Sequence, residues 1–368
     1  MLLKLDNYNL GVKVVSLALD ETVFKQLVFD NLPSIHIEND YLVFYPEKIK
    51  LKISKENIEK IKNCDNYDVF TISDNGQAYL YYNNESSDNV ILVTNKCNSN
   101  CIMCPTPESV RKMANETNID VILQAIKHMP DDAEHITITG GEPFLAGEDI
   151  FKIFSALKYK MYRTRFLLLT NGRALSYKPF FEKFKETVPN NTLVGIPLHG
   201  YDAETHDYIT QSKGGFWQTF YGIKNLFSYN QSVEIRMVVS KLNYKYIDKI
   251  SDLIIEEFPS VETVKIMGLE MTGNAYKNRE NVWLSYPEAF QYSKNAINKL
   301  INRGIDVQLY NFPLCAVDKE YHKICARSIT DYKVRYASVC NECVLKDACG
   351  GVFAGTLKLS ETDMKPWR

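Results

Sequence analysis

Six times between residues 90 and 303, a short apolar run is followed by an amphipathic stretch long enough for a helix. The apolar runs lie at 90–93, 135–139, 164–170, 193–198, 233–239 and 261–267. The amphipathic stretches lie at 120–128, 149–158, 180–186, 219–229, 244–257 and 287–303. Strands that each return through a helix pair in parallel, with crossovers of one hand. The expected product is α/β: a curved parallel sheet or partial barrel, its active site at the C-terminal ends of the strands.

Two segments flank this pattern. Residues 1–88 hold short apolar or alternating runs at 11–19, 34–37, 41–45 and 77–82 between Asn/Asp-rich turns, which predicts a small, mainly β accessory segment. The polar stretch 83–89, NNESSDN, marks the boundary. A further short strand is expected at 307–310, so the core is assigned to 89–305 and a cysteine-rich tail to 306–368.

The nine cysteines are an odd number and unevenly placed: Cys64 alone, three within eight residues, and five between Cys315 and Cys349. The N-terminus, MLLKLDNYNLGVKVV, is interrupted by Lys4 and Asp6 and has no apolar export signal. Clustered cysteines in such a chain point to metal or redox chemistry in a reducing, cytoplasmic setting rather than to a disulfide framework. No stretch approaches the roughly 20 apolar residues of a membrane span. A formal charge of −2 without a basic stripe argues against a nucleic-acid partner.

Just past the first strand stands CNSNCIMCP, with Cys97, Cys101 and Cys104 in C-x3-C-x2-C spacing. Three thiolates on one short loop can hold three irons of a cubane and leave the fourth open to an external ligand. A zinc site short of one ligand fits the spacing as well. The second strand ends in GGEP, the third in LTNGR and the fourth in GIPLHG. Together these resemble the radical S-adenosylmethionine (SAM) superfamily, which implies a partial (β/α)6 TIM-like barrel. The resemblance implies a [4Fe–4S] cluster on Cys97, Cys101 and Cys104. SAM would chelate the open iron of this cluster through amino and carboxylate groups, and one electron would cleave the sulfonium, giving methionine and a 5′-deoxyadenosyl radical. It further places Met103 near the adenine, in a position usually aromatic, and Gly140, Gly141, Glu142 and Pro143 around SAM, with Glu142 accepting from its amino group. Asn171 and His199 would line the SAM cavity, and Arg236 would meet the SAM carboxylate; the residues alone also fit a plain Asn-Gly turn, a structural histidine and, for Arg236, a structural ion pair. The chain departs from many relatives in having Pro197 for a serine and His199 for an aspartate.

In the tail, Cys340, Cys343 and Cys349 form C-x2-C-x5-C, with Cys315 and Cys325 upstream. On spacing alone a zinc knuckle and an iron–sulfur cluster compete evenly. The unit resembles the SPASM and shorter twitch domains of peptide-modifying radical SAM enzymes, implying one auxiliary [4Fe–4S] cluster on Cys315, Cys340, Cys343 and Cys349. Across 90–353, phrases such as GIPLHGYDAETHDYITQ, MGLEMTGNA and LYNFPLC resemble the His-Xaa-Ser system radical SAM maturases of the C type, in which Cys325 has no counterpart. That resemblance implies a ribosomally made peptide precursor as substrate. It also implies a second radical SAM protein as companion and an electron donor such as flavodoxin or ferredoxin. Two alternatives stand beside it: a radical SAM enzyme acting on a small molecule or nucleotide, and a cluster-binding scaffold for a second enzyme.

Overall fold

The computed structural model describes residues 2–112 and 118–368. The N-terminal segment is a seven-stranded sheet of β1 (Leu2–Lys4), β2 (Lys13–Ala18), β3 (Ser34–Glu38), β4 (Tyr41–Tyr45), β5 (Ile49–Lys52), β6 (Val69–Ile72) and β7 (Gln77–Tyr82). The strand order is β1-β7-β6-β2-β3-β4-β5. Only β2 and β3 pair in parallel, and a parallel pair needs a crossover. Helix α1 (Glu21–Phe29) supplies it, started by Asp20, whose carboxylate accepts from Val23 N. A second helix, α2 (Lys55–Lys62), is capped the same way by Ser54. Both helices are too short to stand out against the strand pattern around them.

Strand β2 is buried almost throughout rather than on alternate residues. Val15 and Leu17 face the segment's own core, whereas Val14 joins the main core. Buried Ser16 shares a 2.8 Å hydrogen bond with His128 Nδ1. The N-terminal sheet is therefore packed onto the rest of the molecule.

The main sheet has eight strands, all parallel and arranged in sequence order. They are β8 (Asn89–Leu92), β9 (His135–Thr139), β10 (Arg165–Leu169), β11 (Thr192–Pro197), β12 (Val233–Val238), β13 (Thr263–Met267), β14 (Asp306–Tyr310) and the short β15 (Cys325–Ala326). The helices between them are α3 (Glu108–Lys112), α4 (Ile119–His128), α5 (Asp149–Lys160), α6 (Lys178–Thr187), α7 (Ala203–Thr210), α8 (Gly215–Ser228), α9 (Ile247–Glu257), α10 (Gly273–Lys277), α11 (Arg279–Val282) and α12 (Tyr286–Asn302). This is the expected partial TIM-like α/β architecture. Phe154, Phe184, Phe258 and Phe290 are fully buried between the helices and the sheet. Strands β12 and β13 are buried on both faces, as the strands of a helix-covered parallel sheet are.

The barrel sheet continues past the expected boundary at 305. Strands β14 and β15 extend it, so that cut falls inside one hydrogen-bonded layer. The structure also adds α7 and begins α8 at Gly215, four residues before the expected start. Asp207 explains both. It ends one helix and starts the next, its carboxylate accepting from Gly214 N at 2.6 Å and Phe216 N at 2.7 Å. The tail closes with the ribbon β16 (Val334–Arg335) and β17 (Val352–Phe353) and helix α13 (Ala354–Ser360).

Candidate functional site

Thr139, Leu169, Pro197, Val238 and Met267, the last residues of β9 to β13, line one cavity of about 290 Å³ at the C-terminal face of the sheet. Cys97, Cys101 and Cys104 line the same cavity, brought there by the loop that follows β8. Burial pushes the Cys97 thiol up and the Cys101 thiol up to about 12. Thiols held this dry ionise on a metal rather than in water, because a metal takes the thiolate form.

The loop is fastened on three sides. Gly141 N donates to Thr94 O and Glu142 N to Lys96 O, each at 2.8 Å. A Cβ on Gly140 would stand 2.4 Å from Thr94 O, and one on Gly141 2.5 Å from Lys96 O, so only glycine lets these backbones touch. On the second side, Asn100 N and Ile102 N donate to Thr210 O and Ile209 O at the end of α7. The third side is formed by α10 and its flanks. Asn274 N donates to Cys104 O, Asn274 Nδ2 to Cys101 O and Asn278 Nδ2 to Ile102 O, all within 3.0 Å.

The residues singled out from the sequence fall in different places. Gly140, Gly141, Asn171, His199 and Arg236 line the cavity with the three cysteines. Glu142 is fully buried beneath it. Its carboxylate accepts from Thr170 Oγ1 and Asn171 N at 2.7 Å and from Phe144 N at 3.1 Å. Burial raises its pKa while these bonds oppose the rise. Glu142 therefore ties the second strand-end turn to the third, and Pro143 begins the short 3-10 helix behind it. Met103 is not among the residues that line the cavity and is buried in an apolar cluster with Leu269, Met271 and Val282.

Arg236 lines the cavity and also forms an ion pair. Its Nε lies 2.5 Å from the carboxylate of Glu234, whose side chain is wholly buried, and Lys265 Nζ lies 2.6 Å from the other oxygen. A buried carboxylate needs such partners, so the guanidinium is already engaged while it borders the cavity. His199 and His206 stack at 6.0 Å between ring centroids. Burial lowers their pKa values to about 3 and about 4, so both stand neutral in the cavity wall.

Two cations that the motifs did not single out hold the cysteine loop. Arg173 donates from Nη1 to Asn98 O at 2.9 Å and from Nε to Gln218 Oε1 at 2.7 Å. Arg111, buried on α3, donates from Nη1 to Cys104 Sγ at 3.0 Å. A signal for each was present: Arg173 follows the Asn-Gly turn directly, and Arg111 lies seven residues after the third cysteine.

In the tail, Cys315, Cys340, Cys343 and Cys349 line a single small cavity closed by Met364 and Trp367. Leu314 N and Gly351 N both donate to Cys349 Sγ at 3.4 Å. Cys325 does not line that space. Its thiol faces Tyr321 O at 3.6 Å, and burial pushes it up to about 12. Among the described residues no three Cys, His, Asp or Glu side chains are grouped to hold a single metal ion. Cys97, Cys101 and Cys104 share one cavity, and Cys315, Cys340, Cys343 and Cys349 share another.

Residues 91–254 match the radical SAM superfamily. The chain is 31% identical over 170 residues to the AdoMet-dependent heme synthase of Methanosarcina barkeri, covering 44% of this chain and 45% of the relative. It spans about half the length of the curated relatives it matches. Among solved structures it is similar to anSMEcpe with bound AdoMet and Kp18Cys peptide, with a TM-score of 0.49 and 19% identity, covering 60% of this chain and 63% of that one. It is also similar to Streptococcus suis SuiB, with a TM-score of 0.48 and 14% identity, covering 83% and 78%.

Proposed function

We propose that this chain, whose residues 91–254 match the radical SAM superfamily, is a member of it that cleaves SAM reductively and uses the resulting radical to modify a ribosomally made peptide. The observation that carries the proposal is the pair of cysteine sets. Three cysteines border the strand-end cavity and four border a second cavity in the tail. The first set fits a [4Fe–4S] cluster with one open iron, which when bound supplies the electron that cleaves SAM. The second fits an auxiliary [4Fe–4S] cluster. The peptide assignment is supported by the sequence resemblance to the His-Xaa-Ser maturases.

The chain's own residues have distinct parts in this scheme. Glycines 140 and 141 let the second strand turn press against the cysteine loop, and Glu142 locks that turn to Thr170 and Asn171. Asn171 Nδ2 reaches Asn98 Oδ1 at 2.7 Å, so the third strand turn also positions the loop. The neutral imidazoles of His199 and His206 give the cavity wall hydrogen-bonding groups without charge. A cavity bordered by strand ends, with few charged groups, suits a ligand that must be shielded from water while a radical forms.

The test is anaerobic reconstitution with iron, sulfide, dithionite and SAM, with and without a peptide bearing His-Xaa-Ser repeats, followed by mass spectrometry. Formation of 5′-deoxyadenosine together with a mass change in the peptide is expected. SAM cleavage with an unchanged peptide would shift the proposal to a small-molecule or nucleotide substrate. Absence of SAM cleavage would leave the scaffold role.

A further inference from the structure

Arg111 is a cation at a position where a cation is expensive. It is buried on the five-residue helix α3, and its guanidinium makes three hydrogen bonds. Nη1 donates to Cys104 Sγ at 3.0 Å and to Thr106 O, and Nη2 donates to Asn100 Oδ1. All three acceptors lie on the loop that carries Cys97, Cys101 and Cys104. The fork thus spans the loop and places one N–H on a ligand sulfur. Asn100 Oδ1 also accepts from Asn274 Nδ2 at 3.1 Å, so two side chains hold this acceptor.

A desolvated guanidinium requires negative charge nearby. Two of its acceptors are neutral amide or peptide oxygens, and the third is a sulfur that becomes a thiolate when it binds iron. One-electron reduction adds a further negative charge to such a cluster. A buried cation and an N–H···S bond favour the more negative state, and both act more strongly in a low-dielectric site. Lysine could supply the charge but not the fork, because an ammonium is a point donor whereas the guanidinium is planar.

We propose that Arg111 is a positioning residue that raises the reduction potential of the cluster on Cys97, Cys101 and Cys104 through its bond to the Cys104 sulfur. This rests on those three cysteines being cluster ligands.

The experiment is an EPR-monitored redox titration of the reconstituted full chain, following the cluster signal that shifts when SAM is added. Iron and sulfide are counted on the same samples. R111M and R111Q are expected to change the oxidised-to-reduced ratio at a fixed potential at least tenfold toward oxidised, equivalent to about 59 mV for one electron. R111K should fall between them and the wild type. A charge-free variant that keeps its iron and titrates at the wild-type potential would overturn the proposal. Should neither R111M nor R111Q hold iron, R111K decides. A lowered potential there supports the sulfur bond, and a wild-type potential refutes it. Failure of the underlying ligand assignment looks different: the wild type would show no SAM-sensitive cluster signal at all.

Discussion

Substituting Gly141 by alanine tests whether the second strand turn and the cysteine loop are in backbone contact. Gly141 needs no left-handed conformation, so a methyl group there acts through space alone. Its Cβ would stand 2.5 Å from Lys96 O, 2.6 Å from Asn95 O and 2.9 Å from Lys96 C. These are main-chain atoms and cannot rotate aside. To reach ordinary contact the loop must retreat by about 1 Å, which stretches two 2.8 Å bonds, Gly141 N to Thr94 O and Glu142 N to Lys96 O, out of range. Overpacking costs about 1–3 kcal/mol and each lost bond about 1 kcal/mol, for a total of about 3–5 kcal/mol. With an unfolding entropy of about 2.1 cal/mol/K per residue, that lowers the melting temperature by about 4–6 °C. Gly147→Ala is the control. It has φ +62° and ψ −128°, a backbone conformation that favours glycine, but open space around its Cβ, so only backbone strain of about 1–3 kcal/mol applies. Differential scanning calorimetry and iron counting check both variants. G141A is expected to melt below G147A and to bind iron incompletely. A G141A protein with wild-type melting and full iron would refute the contact.

Three other outcomes follow from the same geometry. Arg236→Ala should lower the melting temperature, because Glu234 loses a charge-assisted bond of about 1.5–3 kcal/mol, while SAM affinity by equilibrium dialysis stays near wild type; a tenfold or greater loss of affinity would return Arg236 to the ligand. Cys325→Ala should keep the full iron and sulfide content of the tail, whereas Cys343→Ala should lose it; the test is metal and sulfide counting in the Cys97/Cys101/Cys104 triple alanine background, and a tightly bound zinc without sulfide would make the tail structural. His128, His199 and His206 are held neutral by burial, with pKa values lowered to about 4, 3 and 4. Their unfolded forms bind protons first, so stability is fully present above about pH 6.5 and falls with acidity toward pH 3–4, by about 2 kcal/mol per histidine at pH 5. Denaturant melts at pH 7 and pH 5 should show that drop, and flat stability would contradict the burial.

The strand–helix alternation was legible because each barrel strand is a short run with apolar residues at least at every second position, β8, β9, β10 and β14 being buried on alternate residues and β12 and β13 on both faces, and each is followed by a stretch of helical period. What escaped were elements decided by single polar side chains. Helix α7 reads as the polar stretch AETHDYIT, and its separation from α8 depends on where the Asp207 carboxylate points. Helices α1 and α2 depend on the caps Asp20 and Ser54. The cysteine positions were equally plain, because spacing along the chain sets which thiols can share a loop. The partners of charged groups were not. The apolar run VEIRMVV fits both an arginine facing a ligand and one facing Glu234 two residues earlier on the same strand face. Period-two alternation does place Glu234 and Arg236 side by side, a signal in favour of the ion pair.

Met103 carries the argument one step further. Its side chain packs with Leu269 and Met271, and Leu359 of α13 packs against the same cluster. Helix α13 approaches closely, since a Cβ on Gly355 would lie 2.3 Å from Met271 O, and Thr356 Oγ1 accepts from Met271 N at 3.2 Å. The residues after Met271 then fasten the cysteine loop through Asn274 and Asn278. A continuous packed path therefore runs from the tail, beside its four cysteines, to the loop that bears the first three. Met103, immediately before the third cysteine, packs into this path and is not among the residues that line the cavity. A flexible, unbranched thioether suits such a seam between three segments better than a rigid ring would, which gives the departure from an aromatic residue at position 103 a structural cause.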